Sequence, residues 1–147
     1  MKDNKSIKFK IVTPEKTVYK DVVYQSTLPV SDGDVTILPD HRSYIASLKP
    51  GEIVIKKEKG DSEVISIAVA GGFVEFHKNQ LVILADAAER TEDLDIEEIE
   101  KAKKRAEDIK SKRISLDENE YARVVSEIEK GLVWSKIARK YSSRRMK

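Results

Sequence analysis

The sequence predicts an α+β fold in which an antiparallel β-sandwich, residues 1–90, precedes an antiparallel two-helix hairpin, residues 91–147. Two observations support this prediction. Apolar residues alternate with a period of two up to about residue 85, and they recur every three or four residues after it. Gly and Pro turn signals punctuate the first part at short intervals without an intervening helical pattern, which favours an antiparallel sandwich over a parallel sheet.

The strands are predicted from the alternation, which begins with Ile7, Phe9 and Ile11 on one face of a first strand. A second strand over residues 21–30 is expected to stop at Pro29, because proline removes a ladder donor. Further apolar runs bring the expected total to about eight or more short strands. The run at residues 64–70 is apolar nearly throughout, which indicates a strand covered on both faces.

A hairpin is predicted to close the sheet. Strands over residues 73–77 and 81–84 flank a polar turn of Lys78, Asn79 and Gln80. The preceding pair, Gly71 and Gly72, marks a place where a Cβ would not fit, through a bulge, a positive φ or close backbone packing.

Two helices are predicted over residues 95–112 and 117–141, with a frayed end at 142–147. Asp95 with Glu98, and Ser115 with Glu118, have the spacing of helix N-caps. Each helix carries one narrow apolar stripe at steps of three and four. The stripes are Ile99, Ala102, Ala106 and Ile109 in the first helix, and Ala122, Val125, Ile128 and Leu132 in the second. Such thin stripes bury little area, so we expect a weakly held arm with more than one arrangement.

Composition excludes several classes of protein. The 147 residues contain no cysteine and two histidines, which removes thiolate chemistry and disulfides. No apolar run approaches the ~20 residues needed to span a bilayer, and the polar N-terminus does not resemble a secretory signal. We therefore expect a soluble, cytosolic chain. The helical part begins acidic and ends basic, a pattern typical of contact with an acidic surface.

Residue by residue, the chain favours binding over catalysis. His41 and His77 each lack a neighbouring ligand, so hydrogen-bonded or exposed roles are favoured. Asp86 and Glu89 suit a domain-junction cap better than an acid/base pair, since no nucleophile accompanies them. The paired glycines lack the spacing of a phosphate-binding loop. An adaptor for nucleic acid or protein that uses the basic last helix remains the alternative function, although the chain lacks a basic face interleaved with aromatic residues.

Five motifs carry a resemblance to a known family. They are IVTPEKTVY at residues 11–19, GDVTILPDH at 33–41, LKPGEI at 48–53, AGGFVEF at 70–76 and VILADAAERTEDLD at 82–95. In this order and spacing, the chain resembles the epsilon subunit family of the F-type proton-translocating ATP synthase of bacteria and chloroplasts. The resemblance implies a non-catalytic rotor subunit of the central stalk, peripheral to the cytoplasmic face of the cell membrane, without a resident cofactor and without nucleic acid.

The resemblance also implies partners and contact residues. The sandwich would join the gamma subunit to the ring of c subunits through residues 31–41, which makes Asp34 and His41 interface candidates. The helices would extend along gamma and inhibit ATP hydrolysis, with Lys136, Arg139 and Lys140 facing an acidic segment of the beta subunit. Trp134 is a candidate either for a partner anchor or for packing on the first helix.

The chain departs from the family pattern in two places. Thr36 stands where a glycine is usual, and Arg42-Ser43 where Ala-Pro is typical, so the contact loop is expected to differ in shape.

The second departure concerns a regulatory ATP site. Many bacterial members carry [IL]-D-x-x-R-A at the start of the first helix, and Asp95 and Arg105 match the family's nucleotide site. Glu98 occupies the arginine position, however, and a carboxylate repels a phosphate. ATP binding is therefore expected to be weak or absent.

Overall fold

The computed structural model describes residues 5–61, 63–112 and 117–145. The chain forms two compact units, Met1–Arg90 and Thr91–Lys147. The described residues of the first unit contain ten strands: β1 (Ile7–Val12), β2 (Thr17–Val23), β3 (Gln25–Val30), β4 (Gly33–Ile37), β5 (Tyr44–Leu48), β6 (Gly51–Lys56), β7 (Ile65–Val69), β8 (Gly72–His77), β9 (Gln80–Ala85) and β10 (Ala88–Arg90). The second unit contains a short 3₁₀ turn (Thr91–Asp93) and two helices, α1 (Ile96–Ser111) and α2 (Glu118–Arg145).

The strands join in the order β10-β7-β6-β3-β5-β8-β9-β1-β2, with β4 added beside β3. The β-sandwich predicted from the sequence is confirmed. Its neighbours are antiparallel except for β1 and β9, which pair in parallel with Phe9 opposite Leu81. This pair joins strands far apart in sequence, so the local alternation could not reveal it.

The core of the first unit follows the period-two pattern. Ile7, Phe9 and Ile11 of β1 are buried, as expected, and the alternating residues of β8 and β9 join them. Burial of large apolar side chains is the main favourable term for such a unit. The expectation for residues 64–70 holds through β7, in which four consecutive residues from Ser66 to Val69 are buried. This strand lies between β6 and β10.

The expected end of a strand at Pro29 is wrong, since β3 continues to Val30 and Pro29 pairs with Asp34 of β4. The break lies instead at Tyr24. There the chain leaves its pairing with β1, and the Tyr24 amide donates to the carbonyl of Lys56 at 3.0 Å. Pro29 lacks a ladder donor but keeps its acceptor role, because its carbonyl accepts from the Lys49 amide at 2.8 Å.

The turn between β8 and β9 has two residues rather than the predicted three. Lys78 and Asn79 have φ of 47° and 58°, so both lie in the left-handed region that a tight hairpin turn requires. Gln80 consequently belongs to β9, where it pairs with His77.

The prediction for the paired glycines is confirmed. Gly71 and Gly72 have φ of 117° and 139°. A Cβ on Gly72 would overlap the Leu84 carbonyl oxygen and lie 2.9 Å from the Cα of Ala85. The glycine therefore lets β8 approach the backbone of β9.

In the second unit α1 begins as expected, because the Asp95 side chain caps it by accepting from the amide of Glu97 at 2.9 Å. The predicted cap at Ser115 lies outside the described residues. At the start of α2, Asp117 accepts from the Glu120 amide at 2.8 Å. The predicted end of this helix at residue 141 is wrong, since α2 extends to Arg145, and residues 146–147 are not described.

The two apolar stripes are only half right. Ala106 is buried and Ile99, Val125 and Ile128 are half-buried, but four predicted members are exposed: Ala102, Ile109, Ala122 and Leu132. The contact face of α1 instead includes the polar residues Glu100 and Lys103. Gly131 of α2 explains the difference, since a Cβ there would lie 3.3 Å from the Cβ of Lys103. Absence of that Cβ lets the helices approach at a polar position.

Candidate functional site

An exposed apolar surface lies on the sheet where β5, β8 and β9 are neighbours. Phe73 and Leu84 are directly opposite each other, and Ile45 lies diagonally across from Phe73 through the β5–β8 pairing. Their exposed fractions are 60%, 57% and 76%. We call these three residues the apolar sheet face. Three large apolar neighbours left in water indicate a surface suited to contact with a partner.

The sequence contained a signal for this surface that the alternation analysis missed. In β8 and β9 the core positions are already filled by Val74, Phe76, Leu81 and Ile83. Phe73 and Leu84 are therefore apolar at the opposite phase, which points away from the core. Large apolar residues at both phases of a strand whose second face is exposed indicate a binding surface.

The loop that holds His41 is tied to the β8–β9 turn. The Asp40 amide donates to Asn79 Oδ1 at 2.6 Å, and Asn79 Nδ2 donates back to Asp40 Oδ1 at 3.0 Å. Lys5 forms an ion pair with Asp40 at 2.6 Å. The Lys5 ammonium, followed by the Asn79 amide, lowers the pKa of the Asp40 carboxyl below its usual range. Contacts with Asn79 and with Lys5 therefore fix the position of Asp40 in the loop.

Of the two interface candidates in the sandwich, His41 is held by ring packing and a hydrogen bond, whereas Asp34 is exposed. The His41 ring packs edge-on against Tyr44 and Phe76, with centroids 5.9 and 5.8 Å away, and its Nδ1 hydrogen-bonds with the Arg42 carbonyl at 2.8 Å. Asp34 lies in β4 with its side chain in solvent. The structure places Thr36 in the same strand, where its hydroxyl hydrogen-bonds with that of Thr27 at 2.8 Å. This part of the predicted contact loop is therefore a strand.

A polar cluster joins the two helices. Glu100 Oε1 of α1 accepts from the Ser135 hydroxyl at 2.5 Å and from Arg139 Nη2 at 2.9 Å, both on α2. Lys103 lies 3.5 Å from the second Glu100 oxygen. The Ser135 hydrogen bond, followed by the charges of Lys103 and Arg139, lowers the pKa of the Glu100 carboxyl. We call Glu100, Ser135 and Arg139 the helix clasp, and analysis of the sequence alone had not identified it.

Trp134 is buried in this arrangement, at 7% exposure. The Lys130 ammonium lies 4.5 Å from its ring centroid, a favourable cation–π distance. Its indole Nε1 is buried without a hydrogen-bond acceptor among the described residues. An orphaned buried donor carries a cost of about 1–3 kcal/mol, so this arrangement of α2 is not optimal for Trp134.

The basic candidates on α2 form part of its exposed surface. Lys136, Arg139 and Lys140 are all exposed, and Arg139 in addition binds Glu100 in the helix clasp with 65% of its side chain still exposed. The predicted cationic surface is therefore presented to solvent, with Arg139 also paired to α1.

The two nucleotide candidates lie on α1. Asp95 is occupied as the helix cap, accepting from the amides of Glu97 and Glu98 at 2.9 and 3.4 Å. Arg105 is exposed. In the described ranges no group of three or more His, Cys, Asp or Glu residues is arranged to hold a metal ion. Within the same ranges, no helix combines the length and the apolar character needed to cross a membrane.

Comparison with known proteins agrees with these features. Residues 6–91 match the family model of the ATP synthase, Delta/Epsilon chain, beta-sandwich domain. The ATP synthase epsilon chain of Lactiplantibacillus plantarum is 46% identical over 108 residues, which cover 73% of this chain and 76% of that one. The ATP synthase epsilon chain of Bacillus velezensis is 43% identical over 109 residues, covering 74% and 80% of the two chains.

Solved structures give the same fold at low identity. A chain from the cryo-EM structure of the Euglena gracilis mitochondrial ATP synthase, OSCP/F1/c-ring in rotational state 1, aligns with a TM-score of 0.68 and 20% identity. That alignment covers 89% of this chain and 80% of the other. A chain from the central stalk/c-ring of the Tetrahymena thermophila mitochondrial ATP synthase aligns with a TM-score of 0.53 and 19% identity, covering 90% and 96%. The family model and the sequence relatives show that this chain belongs to the ATP synthase epsilon chain family.

Proposed function

We propose that this chain is a non-catalytic stalk subunit of an F-type ATP synthase. Its β-sandwich docks on the gamma subunit and the ring of c subunits, and its helices restrain ATP hydrolysis by contact with the beta subunit. The subunit is held at the cytoplasmic face of the membrane through the complex. Family membership supports the assignment, and the apolar sheet face is the structural observation that carries it.

The apolar sheet face has the character of a docking surface. A sheet is stable in water when its apolar faces are covered by another layer, and here the core covers one face only. Phe73 and Leu84 provide adjacent large side chains in the middle of the face, and Ile45 extends it. Central apolar and aromatic residues carry most of the free energy of protein association. We assign gamma as the partner that covers this face.

Substitution of the face tests docking. The double variant Phe73→Ser and Leu84→Ser removes apolar area from an exposed surface, so the sandwich is expected to remain folded. Binding to purified gamma is expected to weaken by about tenfold or more, because two central contacts are lost. Val64→Ser is the matched control, since Val64 is 39% exposed and lies outside the face. Gamma binding by the double variant equal to that of the control would refute the assignment.

The restraining role of the helices is tested by deletion. The helical residues form a compact unit separate from the sandwich, so a chain ending at residue 90 retains every strand. In the assembled enzyme this deletion is expected to raise the rate of ATP hydrolysis while assembly is preserved. An unchanged hydrolysis rate with normal assembly would contradict an inhibitory role.

A further inference from the structure

The helix clasp pairs a cation of α2 with an acid of the same chain. Arg139 is one of three basic residues that the proposed function directs toward an acidic partner. In the described structure its guanidinium is already bound to Glu100 at 2.9 Å. The guanidinium–carboxylate pairing is the same chemistry that an acidic partner would use.

We propose that Glu100 is an internal competitor for Arg139, which keeps α2 on α1 until a carboxylate of an acidic protein segment displaces it. The proposal rests on the function proposed above and deepens it by naming what opposes the inhibitory contact. The partner must supply an acidic segment, since it has to replace Glu100 at the same guanidinium.

The position of the clasp suits this role. Lys103 faces Gly131, and Glu100, three residues earlier in α1, faces Ser135, four residues later in α2. The two helices are therefore antiparallel. The clasp lies at the end of the pair that is away from the connecting residues 113–116. Separation of the helices at this end releases α2 without breaking the connection. The clasp therefore joins the helices where opening begins.

The packing around the clasp is uneven on the two helices. On α1, Ala106 is the buried residue among those described, whereas on α2 Trp134, Ile137 and Ala138 are buried beside the clasp. The clasp adds a specific polar contact to this apolar packing. Ser135 is buried at 5% exposure and donates to Glu100, so separation of the helices also removes this acceptor from the hydroxyl.

Trp134 lies next to Ser135 in the chain. Its indole Nε1 is buried and has no acceptor among the described residues, so the clasped arrangement leaves one polar group of α2 unsatisfied.

Proton uptake does not explain release at neutral pH. The pKa of Glu100 lies below its ordinary value because the Ser135 hydroxyl donates to it and because Lys103 and Arg139 are nearby. A carboxyl with a lowered pKa stays ionised at neutral pH. Competition by another carboxylate is therefore the chemistry that frees Arg139.

Hydrogen exchange of the full isolated chain tests the clasp. Glu100→Gln keeps the side-chain size and removes the charge, whereas Glu107→Gln removes the same charge from an exposed position of the same helix. Amides of residues 132–142 are expected to exchange about threefold faster in the first variant and at the wild-type rate in the second, because a partly exposed ion pair contributes modestly. Equal exchange in the two variants, with helical content retained, would overturn the proposal.

The assembled enzyme tests the competition. Glu100→Gln is expected to lower the hydrolysis rate about threefold, since Arg139 is released to the acidic partner. Glu107→Gln is expected to leave the rate unchanged. The deletion of residues 91–147 distinguishes the competitor role of Glu100 from the inhibitory function of the helices. If deletion raises hydrolysis while Glu100→Gln matches Glu107→Gln, the competitor is refuted and the inhibitory function stands. If deletion has no effect, the inhibitory function fails and the competitor fails with it.

Discussion

Gly72→Ala tests how closely β8 and β9 must approach beneath the apolar sheet face. A Cβ on this residue would overlap the Leu84 carbonyl oxygen and lie 2.9 Å from the Cα of Ala85, and both belong to the backbone of β9. A side chain could rotate away, but the backbone of a paired strand cannot. The substitution must therefore push the two strands apart at the pair of Gly72 and Ala85.

Two contributions set the expected magnitude. The φ of 139° is unfavourable for any residue with a Cβ and costs about 1–3 kcal/mol. Separation of the strands weakens at least one ladder hydrogen bond, worth about 1 kcal/mol, and disturbs the apolar packing beside it. The total loss of unfolding free energy is expected to be about 3–4 kcal/mol, a large share of the 5–15 kcal/mol typical of a domain.

Gly33→Ala is the matched control. Gly33 has a similar φ of 124°, but nothing lies within 4 Å of a Cβ placed on it. This variant therefore carries the backbone strain alone, about 1–3 kcal/mol. The difference of about 2 kcal/mol corresponds to a urea midpoint lower by about 1 M for Gly72→Ala.

The assay must report on the sandwich, because the single tryptophan lies in α2. Urea unfolding followed by amide NMR signals of the strands separates the first unit from the second. A midpoint for Gly72→Ala equal to that of Gly33→Ala would refute the claim that backbone contact, rather than φ, requires this glycine.

Three further predictions concern single residues. Gly131→Ala is expected to stabilise an isolated α2 by about 1 kcal/mol through helix propensity. It is also expected to loosen the packing of α2 on α1, so that acrylamide quenches the fluorescence of Trp134 more strongly. Weaker quenching would contradict this prediction. Burial, followed by the charge of the nearby Asp21, raises the pKa of Tyr19 to about 12. The folded state therefore holds the phenol proton more tightly than the unfolded state does, and the free energy of unfolding falls as the pH rises from about 10 to 12. Tyr19→Phe should flatten that decline by about 2 kcal/mol in alkaline unfolding experiments, and a parallel decline would count against it. Isothermal titration of ATP into the full chain should show no binding at micromolar concentration, since Asp95 already caps α1; a micromolar Kd would disprove it.

Local patterns were sufficient to predict the sandwich but not all of its pairings. The alternation of Ile7, Phe9 and Ile11 identified β1, and the paired glycines identified the close approach of β8 to β9. The parallel pairing of β1 with β9 depends on contacts more than sixty positions apart in the chain, which no local period contains. Pro29 was misjudged because its missing donor does not matter at its position in β3.

The helical unit was harder to predict because its contact face is partly polar. A stripe of apolar residues assumes that apolar area holds the helices together, and Ile109 and Leu132 are nevertheless 48% and 52% exposed. The close approach at Gly131 brings Lys103 to the interface, and the clasp of Glu100 follows from the same approach. Gly131 within α2 was the available signal in the sequence for this close approach.

The central claim is that the sandwich anchors the chain while α2 changes position when the enzyme assembles. Because the chain has no cysteine, spin labels can be attached at two introduced cysteines. Val22→Cys places one label at an exposed position of β2, and Lys136→Cys places the other at an exposed position of α2. Pulsed EPR would compare the distance distribution in the isolated chain with that in the assembled, inhibited ATP synthase. The account predicts that a second, clearly different distance becomes populated on assembly. The same single distance in both states would contradict it.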